Sequence, residues 1–292
     1  MTLINKIEDK IGIPDLTICF DSYCTNYNTL YITSSLRGNI LVNINIECLN
    51  ESVHSGSGIV PDSFNILRVL LDRLEDKNNS KVIKELQVEI PDNFIKDIKK
   101  VIQFAKDDII KYNAKLLPGV KTISNDYFES VINNTLKSTI VVTGMSGFPE
   151  AEIAGNVLRK STSCRISIRT PPTLSNEKAK KIIENILTEN IPYNAKVKID
   201  FPALVDGWVL KKLDSKINES FMKFYLDVNV IGSGITIPFI NMLNQKYKDC
   251  NMFVSGLLGP KSNAHSPNEC LNIDYSIKLT VALAHLISDF CS

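Results

Sequence analysis

Gly38-Asn39-Ile40-Leu41-Val42-Asn43-Ile44-Asn45-Ile46-Glu47 sits where the pattern of the chain changes. Val42, Ile44 and Ile46 alternate with Asn43, Asn45 and Glu47, which is the signature of a strand with one apolar and one wet face. Pro61-Asp62 opens a helix whose apolar positions are Phe64, Leu67, Leu70, Leu71 and Leu74, and Lys77-Asn78-Asn79-Ser80 ends it. Pro91-Asp92 opens a second helix with Ile95, Ile98, Ile102, Ala105 and Ile109 on one side. Thr139 to Val142 reads as a short strand. In the next strand Cys164, Ile166 and Ile168 alternate with Arg165, Ser167 and Arg169, and Pro171-Pro172 stops it. Ser175 is placed to cap a helix carrying Ala179, Ile182, Ile183, Ile186 and Leu187. Val197, Ile199 and Phe201 form a last alternating strand. The order is β-α-(α)-β-β-α-β, a ferredoxin-like split βαβ unit with one inserted helix. It predicts an antiparallel sheet with helices on one face and the other face open to a partner.

Two pieces, 1–37 and 203–292, flank this unit, which spans 38–202. Asp15 to Phe20 reads as a buried strand ending in Asp21. After Pro202 the pattern predicts a helix from Val209 to Tyr225, a Gly-rich loop at Gly232-Ser233-Gly234, a helix from Pro238 and a strand from Met252 to Ser255. The polar loop Gly259-Pro260-Lys261-Ser262-Asn263-Ala264-His265-Ser266-Pro267-Asn268-Glu269 follows, then a closing helix to Phe290. A strand, a polar loop with an imidazole and a helix is how an open α/β sheet presents a ligand at the carboxyl end of a strand. The flanking pieces supply few strands for a covered α/β sheet. Further strands are therefore expected from outside this sequence, most simply before residue 1.

Composition narrows the function. With 33 basic and 32 acidic residues in 292, the net charge is +1. That balance argues against nucleic acid or an anionic membrane as the main partner. Seven cysteines, odd in number and without a Cys-x-x-Cys, argue against a zinc knuckle and fit a reducing, cytoplasmic setting. No Gly-Lys-Ser/Thr follows the glycines at 232 and 234, so nucleotide binding is not supported. His285, the third histidine with His54 and His265, lies in the closing helix and reads as a packing or surface residue.

The chain resembles the M20 family of metal-dependent peptidases, which holds carnosine-type dipeptidases, aminoacylases and acetylornithine deacetylases. Asp21 with Thr33-Ser34-Ser35-Leu36-Arg37-Gly38 is similar to that family's metal-binding Asp and its Leu-Arg-Gly entry to a lid domain. Val53-His54-Ser55-Gly56 with Val60-Pro61-Asp62 resembles the lid's His-Ser-Gly motif. Ala154 to Arg159 and Ile166-Ser167-Ile168-Arg169 resemble later lid strands. Thr236-Ile237-Pro238 and the His265 loop resemble the end of the catalytic domain. The resemblance implies a two-zinc site with Asp21 and His265 as metal ligands, both suitable donors. It implies that His54 reaches into the site of a second subunit to stabilise an oxyanion, and that Arg169 holds the substrate's carboxylate. It also implies a homodimer formed through the lid.

The family's His-x-Asp and Glu-Glu motifs are absent. Ser233 and Ile235 replace the usual Glu and Gly, Ser266 replaces a Gly, and Tyr23 stands where relatives commonly have Gly. The expectation is the C-terminal part of a peptidase for dipeptides or N-acyl amino acids. Such a chain is inactive alone and is completed by a separately encoded N-terminal half. The alternative is a non-catalytic relative that serves as a dimerisation module.

Overall fold

The computed structural model describes residues 4, 6–105 and 115–291, so Ile109 lies outside the described residues. In chain order the principal elements are β1 (Leu16–Cys19), β2 (Leu30–Leu36), β3 (Gly38–Glu47), α1 (Ser63–Asp72), α2 (Asp92–Ala105), α3 (Tyr127–Thr135), β4 (Thr139–Ser146), β5 (Ser161–Thr170) and α4 (Asn176–Thr188). They continue with β6 (Lys196–Val205), β7 (Trp208–Val209), α5 (Ser215–Met222), β8 (Val228–Ser233), α6 (Pro238–Lys246), β9 (Asn251–Val254) and α7 (Ile273–Cys291). The chain divides into two compact units, Gly38–Glu89 with Lys137–Gly207, and Met1–Arg37 with Ile90–Leu136 and Trp208–Ser292.

The first of these, the lid unit, is the antiparallel sheet that the alternation predicts, in the order β4-β5-β3-β6. Numbering its strands along the chain, the order is second, third, first, fourth, as in a ferredoxin-like unit. Ile40 pairs with Ile168, Val42 with Ile166 and Ile44 with Cys164, so the middle of one face of the two central strands is apolar. On that face Ile66, Leu67 and Leu70 of α1 and Ala179, Ile183 and Leu187 of α4 close the core. Asp62 caps α1 by accepting from the Phe64 N–H at 3.3 Å.

At α4 the expected cap is replaced. The Ser175 side chain makes no capping bond. The carboxylate of Asp206 instead accepts from the Asn176 N–H at 2.8 Å. The buried Asn176 amide donates to the Val205 carbonyl at 2.6 Å, and its oxygen accepts from Thr170 at 2.8 Å. The other end of α4 is closed by Arg73. Its guanidinium donates to the carbonyls of Ile186, Glu189 and Asn190 at 3.1, 2.7 and 2.7 Å, a cation at a helix C-terminus.

The second unit, the flanking unit, holds the parallel pair β1-β9 and the three-stranded sheet β8-β2-β7. Here the sequence reading needs correction. The helix expected inside the lid, α2, packs on β8 and α3 instead. Phe94, Ile98, Val101 and Ala105 form its buried stripe, in one core with Leu30, Ile32 and Ile231. Its periodicity announces an apolar face but not which sheet receives it, and α1 with α4 already cover the lid sheet.

By its contacts the compact unit around this sheet takes in 38–89 and 137–207, whereas the sequence reading spans 38–202 without a break. The helix expected from Val209 starts only at Ser215, where the Asp214 carboxylate accepts from the Lys216 N–H at 2.8 Å. Trp208–Val209 pairs with β2 instead. The Gly-rich loop at 232 proves to be the end of β8. β2 and β8 are buried on both faces and show no alternation, so periodicity does not reveal them.

Candidate metal and substrate site

In the flanking unit, Asp21 and His265 both follow strands of the parallel pair and so leave it at the same, carboxyl end. The segment after β1 runs beside the segment after β9. Asp21 bridges Gly256, the Ser22 N–H donates to the Ser255 carbonyl at 3.0 Å, and the Cys24 N–H donates to the Leu258 carbonyl at 2.8 Å. Gly256 is required there, because a Cβ would lie 1.8 Å from the Ser22 carbonyl oxygen. The Ser22 and Thr33 hydroxyls share a buried bond of 2.8 Å. The Asp21 side chain stands exposed on this stiff frame.

The His265 loop is anchored from below. The Tyr27 hydroxyl donates to the Pro260 carbonyl at 3.0 Å and lies 3.0 Å from the Ser262 hydroxyl, which accepts from the Gly259 N–H at 2.9 Å. The Cys270 N–H donates to the Ser262 carbonyl at 2.9 Å and closes the loop. His265 has a left-handed backbone, φ 57°. Its N–H donates to the Glu269 carboxylate at 2.9 Å, and its ring is exposed. Burial pushes the Cys24 thiol, beneath the loop, up to about 12. Such a thiol stays protonated at neutral pH and is a poor metal ligand.

Two departures from the family pattern meet near the same end. Tyr23 is hydrogen-bonded to Ser233, burial raises its phenol, and the neighbouring Arg37 opposes that rise. Arg37 is buried and donates from Nε to the Gly234 carbonyl at 3.0 Å. Neither partner carries a sequence signal for this pairing, since Tyr23 and Ser233 lie far apart in the chain.

His54 and Arg169 belong to the lid unit. His54 is exposed in the turn after β3, its Nδ1 3.5 Å from the Ser55 hydroxyl. The turn is tight because a Cβ at Gly56 would meet Val60 Cγ2 at 2.5 Å. Arg169 is half-buried on β5 between Asn39 and Thr139, and burial lowers its guanidinium from the ordinary value. His54 lies beyond the β3 end where Glu47 pairs with Ser161, whereas Arg169 lies at the opposite end, paired with Asn39. At ~3.3 Å per residue these ends are about 26 Å apart. One copy of the lid therefore does not bring the two residues together. A groove of about 620 Å³ opens beside the His54 turn, lined by Ile59, Val60, Asn65, Val69, Leu158 and Tyr193. It joins a turn to a left-handed Tyr193, features without periodicity.

Among the described residues no group of three or more His, Cys, Asp or Glu side chains is placed to hold a metal ion. A zinc centre takes at least three protein ligands. Asp21 and His265 alone do not fit that requirement.

The chain thus joins an antiparallel split βαβ unit to a unit that carries a parallel strand pair. Residues 35–195, more than half of the chain, match the peptidase dimerisation domain of M20 peptidases, and the chain belongs to that family. It is 23% identical over 250 residues to a cysteinylglycine-S-conjugate dipeptidase of Corynebacterium striatum, covering 82% of this chain and 52% of that protein. Its fold is similar to a di-peptidase of Saccharomyces cerevisiae, with a TM-score of 0.79 at 20% identity, covering 99% of this chain and 62% of that one. Human carnosine dipeptidase 1 gives a TM-score of 0.75 at 18% identity, covering 99% and 62%. An M20 family metallo-carboxypeptidase of Sulfolobus solfataricus gives 0.76 at 19%, covering 98% and 64%. The chain spans about half the length of the curated relative and less than two thirds of these solved structures.

Proposed function

We propose that the chain is the C-terminal part of a di-zinc M20 peptidase that hydrolyses dipeptides or N-acyl amino acids, and that it is inactive by itself. The observation that carries this reading is the exit of Asp21 and His265 from the same end of one parallel strand pair in a member of this family. In this reading they are two of the metal ligands, and the other ligands and the general base come from polypeptide outside this chain. Arg169 holds the substrate carboxylate. His54 donates to the oxyanion formed at the scissile carbonyl.

The separation of His54 from Arg169 along the lid supports a homodimer, in which one substrate meets Arg169 of one lid and His54 of another. The edge strand β4 offers a pairing surface, with Val141, Val142 and Met145 exposed along it. Light scattering at micromolar concentration is expected to give a dimer mass, and a strictly monomeric mass would count against the shared site.

Zinc titration and a panel of dipeptides and N-acetyl amino acids test the chemistry. Weak zinc binding and no turnover are expected from the chain alone. Tight binding of two zinc ions, with turnover abolished by His265→Ala, would overturn its inactivity. The two-donor site also suits a second reading, a non-catalytic dimerisation module. For that reading the prediction is a dimer that no complementing polypeptide makes active.

A further inference from the structure

The open face of the lid sheet is banded. In β3 and β5 the even-numbered residues are buried in the core. The odd-numbered residues, with the strand partners directly opposite them, therefore share the other face. At one end of that face Arg169 stands beside Asn39, flanked by Thr139 and Val205. The next row carries no charge and consists of Val141, Ser167, Leu41 and Ala203. The row after it is Gly144, Arg165, Asn43 and Asp200. Beyond it the charges are mixed, with Lys198 opposite Asn45 and Lys196 opposite Glu47.

Arg165 is exposed but already oriented. Its Nε donates to the Asn43 side-chain oxygen at 2.6 Å, and the Asn43 amide donates to the Asp200 carboxylate at 2.9 Å. Asp200 is thus held on the far side of Asn43, one strand further from Arg165. Among the described residues the two outer guanidinium nitrogens of Arg165 have no hydrogen-bond partner. A guanidinium fixed at Nε still offers that outer fork to a carboxylate.

We propose that Arg165 is a second substrate anchor and that it selects dipeptides whose N-terminal residue is acidic. The proposal rests on the reading in which Arg169 holds the substrate's terminal carboxylate, and it adds the substrate class. The two arginines lie two rows apart, about 13 Å along the strand. A dipeptide extended from Arg169 covers about 7 Å. An acidic side chain on its first residue and the reach of the two arginines make up the rest. The uncharged row lies under the middle of such a ligand, where Val141, Leu41 and Ala203 offer apolar contact and no competing charge. A ligand with one negative charge leaves the Arg165 fork unused, and a ligand with two matches both ends of the band.

The test is an NMR titration of the full chain with the dipeptides Glu-Leu, Gln-Leu and Leu-Glu, read as binding rather than turnover. Glu-Leu is expected to bind about tenfold more tightly than Gln-Leu, the weight of one charge-assisted fork. Arg165→Gln is expected to remove that difference. Arg165→Lys keeps the charge without the fork and is expected to retain only part of it. The proposal is overturned by no saturable binding of Glu-Leu, by equal affinity for Gln-Leu, or by a preference that Arg165→Gln leaves intact. Equal affinity for Leu-Glu, with its second acid on the other residue, also overturns it. If Arg165→Gln does not fold, Arg165→Lys decides, and an undiminished preference overturns the proposal. Displacement of Glu-Leu by inorganic phosphate at the same concentration would make the fork a phosphate site instead. Loss of self-association in Arg165→Gln would assign the face to a second copy. Either result overturns the proposal. The reading of Arg169 is judged separately by Arg169→Gln. Loss of Gln-Leu binding in Arg169→Gln, without any preference dependent on Arg165, keeps that reading and removes the second anchor. Gln-Leu binding that survives Arg169→Gln, with a preference still dependent on Arg165, does the reverse.

Discussion

The two units bury their polar groups differently. In the lid, the buried Asn176, Thr170, Ser63, Thr162 and Ser138 side chains are all hydrogen-bonded. In the flanking unit, the buried hydroxyls of Thr25, Ser34, Ser35 and Tyr247, the Trp208 indole N–H and both amide atoms of Asn229 have no hydrogen-bond partner among the described residues. Each such group costs roughly 1–3 kcal/mol if it stays unpaired. The lid has a four-stranded sheet and a short pairing of 75–76 with 81–82, while the flanking unit has a pair and a triplet of strands. Among the described residues, the polar groups named in the lid are thus better satisfied than those named in the flanking unit.

The comparison is broken most directly in the lid core. Ile44 is buried between the sheet and its two helices. Ile44→Ala is expected to lose about 2–5 kcal/mol in urea unfolding, the range for truncating a packed aliphatic residue. A loss below ~1 kcal/mol would mean that the lid core is loose and that the two units do not differ as described.

Hydrogen exchange sharpens the same contrast without mutation. The slowest amides are expected in β3 and β5, with those of β1 and β9 exchanging at least about tenfold faster, a difference of ~1.4 kcal/mol in local opening. Equal protection would show that the flanking unit is as well satisfied as the lid.

Legibility in the sequence follows the same division. The lid strands β3, β5 and β6 have one wet face, so Asn43, Arg165 and Lys198 punctuate their apolar runs and expose a period of two. The flanking strands β2 and β8 lack that punctuation, because Leu30, Ile32, Val228 and Ile231 are buried along with Thr33, Ser35 and Asn229. Helix α2 was visible as a helix and misplaced as to unit, since an apolar stripe carries no address. The strand end before Asp21 and the polar loop that holds His265 are legible because both are local signals. The Tyr23–Ser233 bond was not, because it joins segments that only the fold brings together. The separation of His54 from Arg169 was hidden as well, since it depends on the register of β3 with β5.

Asn229 offers a prediction of opposite sign. Its amide is fully buried on β8, with neither atom hydrogen-bonded among the described residues. Replacing an unpaired polar group by an apolar one of similar size relieves its desolvation penalty. Asn229→Leu is therefore expected to leave stability unchanged or to raise it by about 1 kcal/mol in the same urea experiment. A loss comparable to that of Ile44→Ala would show that Asn229 is satisfied in solution, and it would erase the distinction between the units at that position.

The smallest effect expected lies in the lid, at Glu75. Burial raises its carboxyl above the ordinary value of 4.5. A carboxyl raised in the folded state adds stability only while it is protonated. That contribution is complete below the unfolded value and is lost as pH rises through the folded one. At neutral pH the ionised Glu75 is therefore a small liability in an otherwise well-satisfied unit, screened because the residue is partly exposed. Glu75→Gln is expected to raise the melting temperature of the lid transition slightly at pH 7. The gain should shrink as pH falls through the folded value and vanish near pH 3, where both forms are neutral. A gain that persists at pH 3 would trace the effect to packing rather than charge, and a loss at pH 7 would mean that the ionised carboxylate makes a favourable contact in solution.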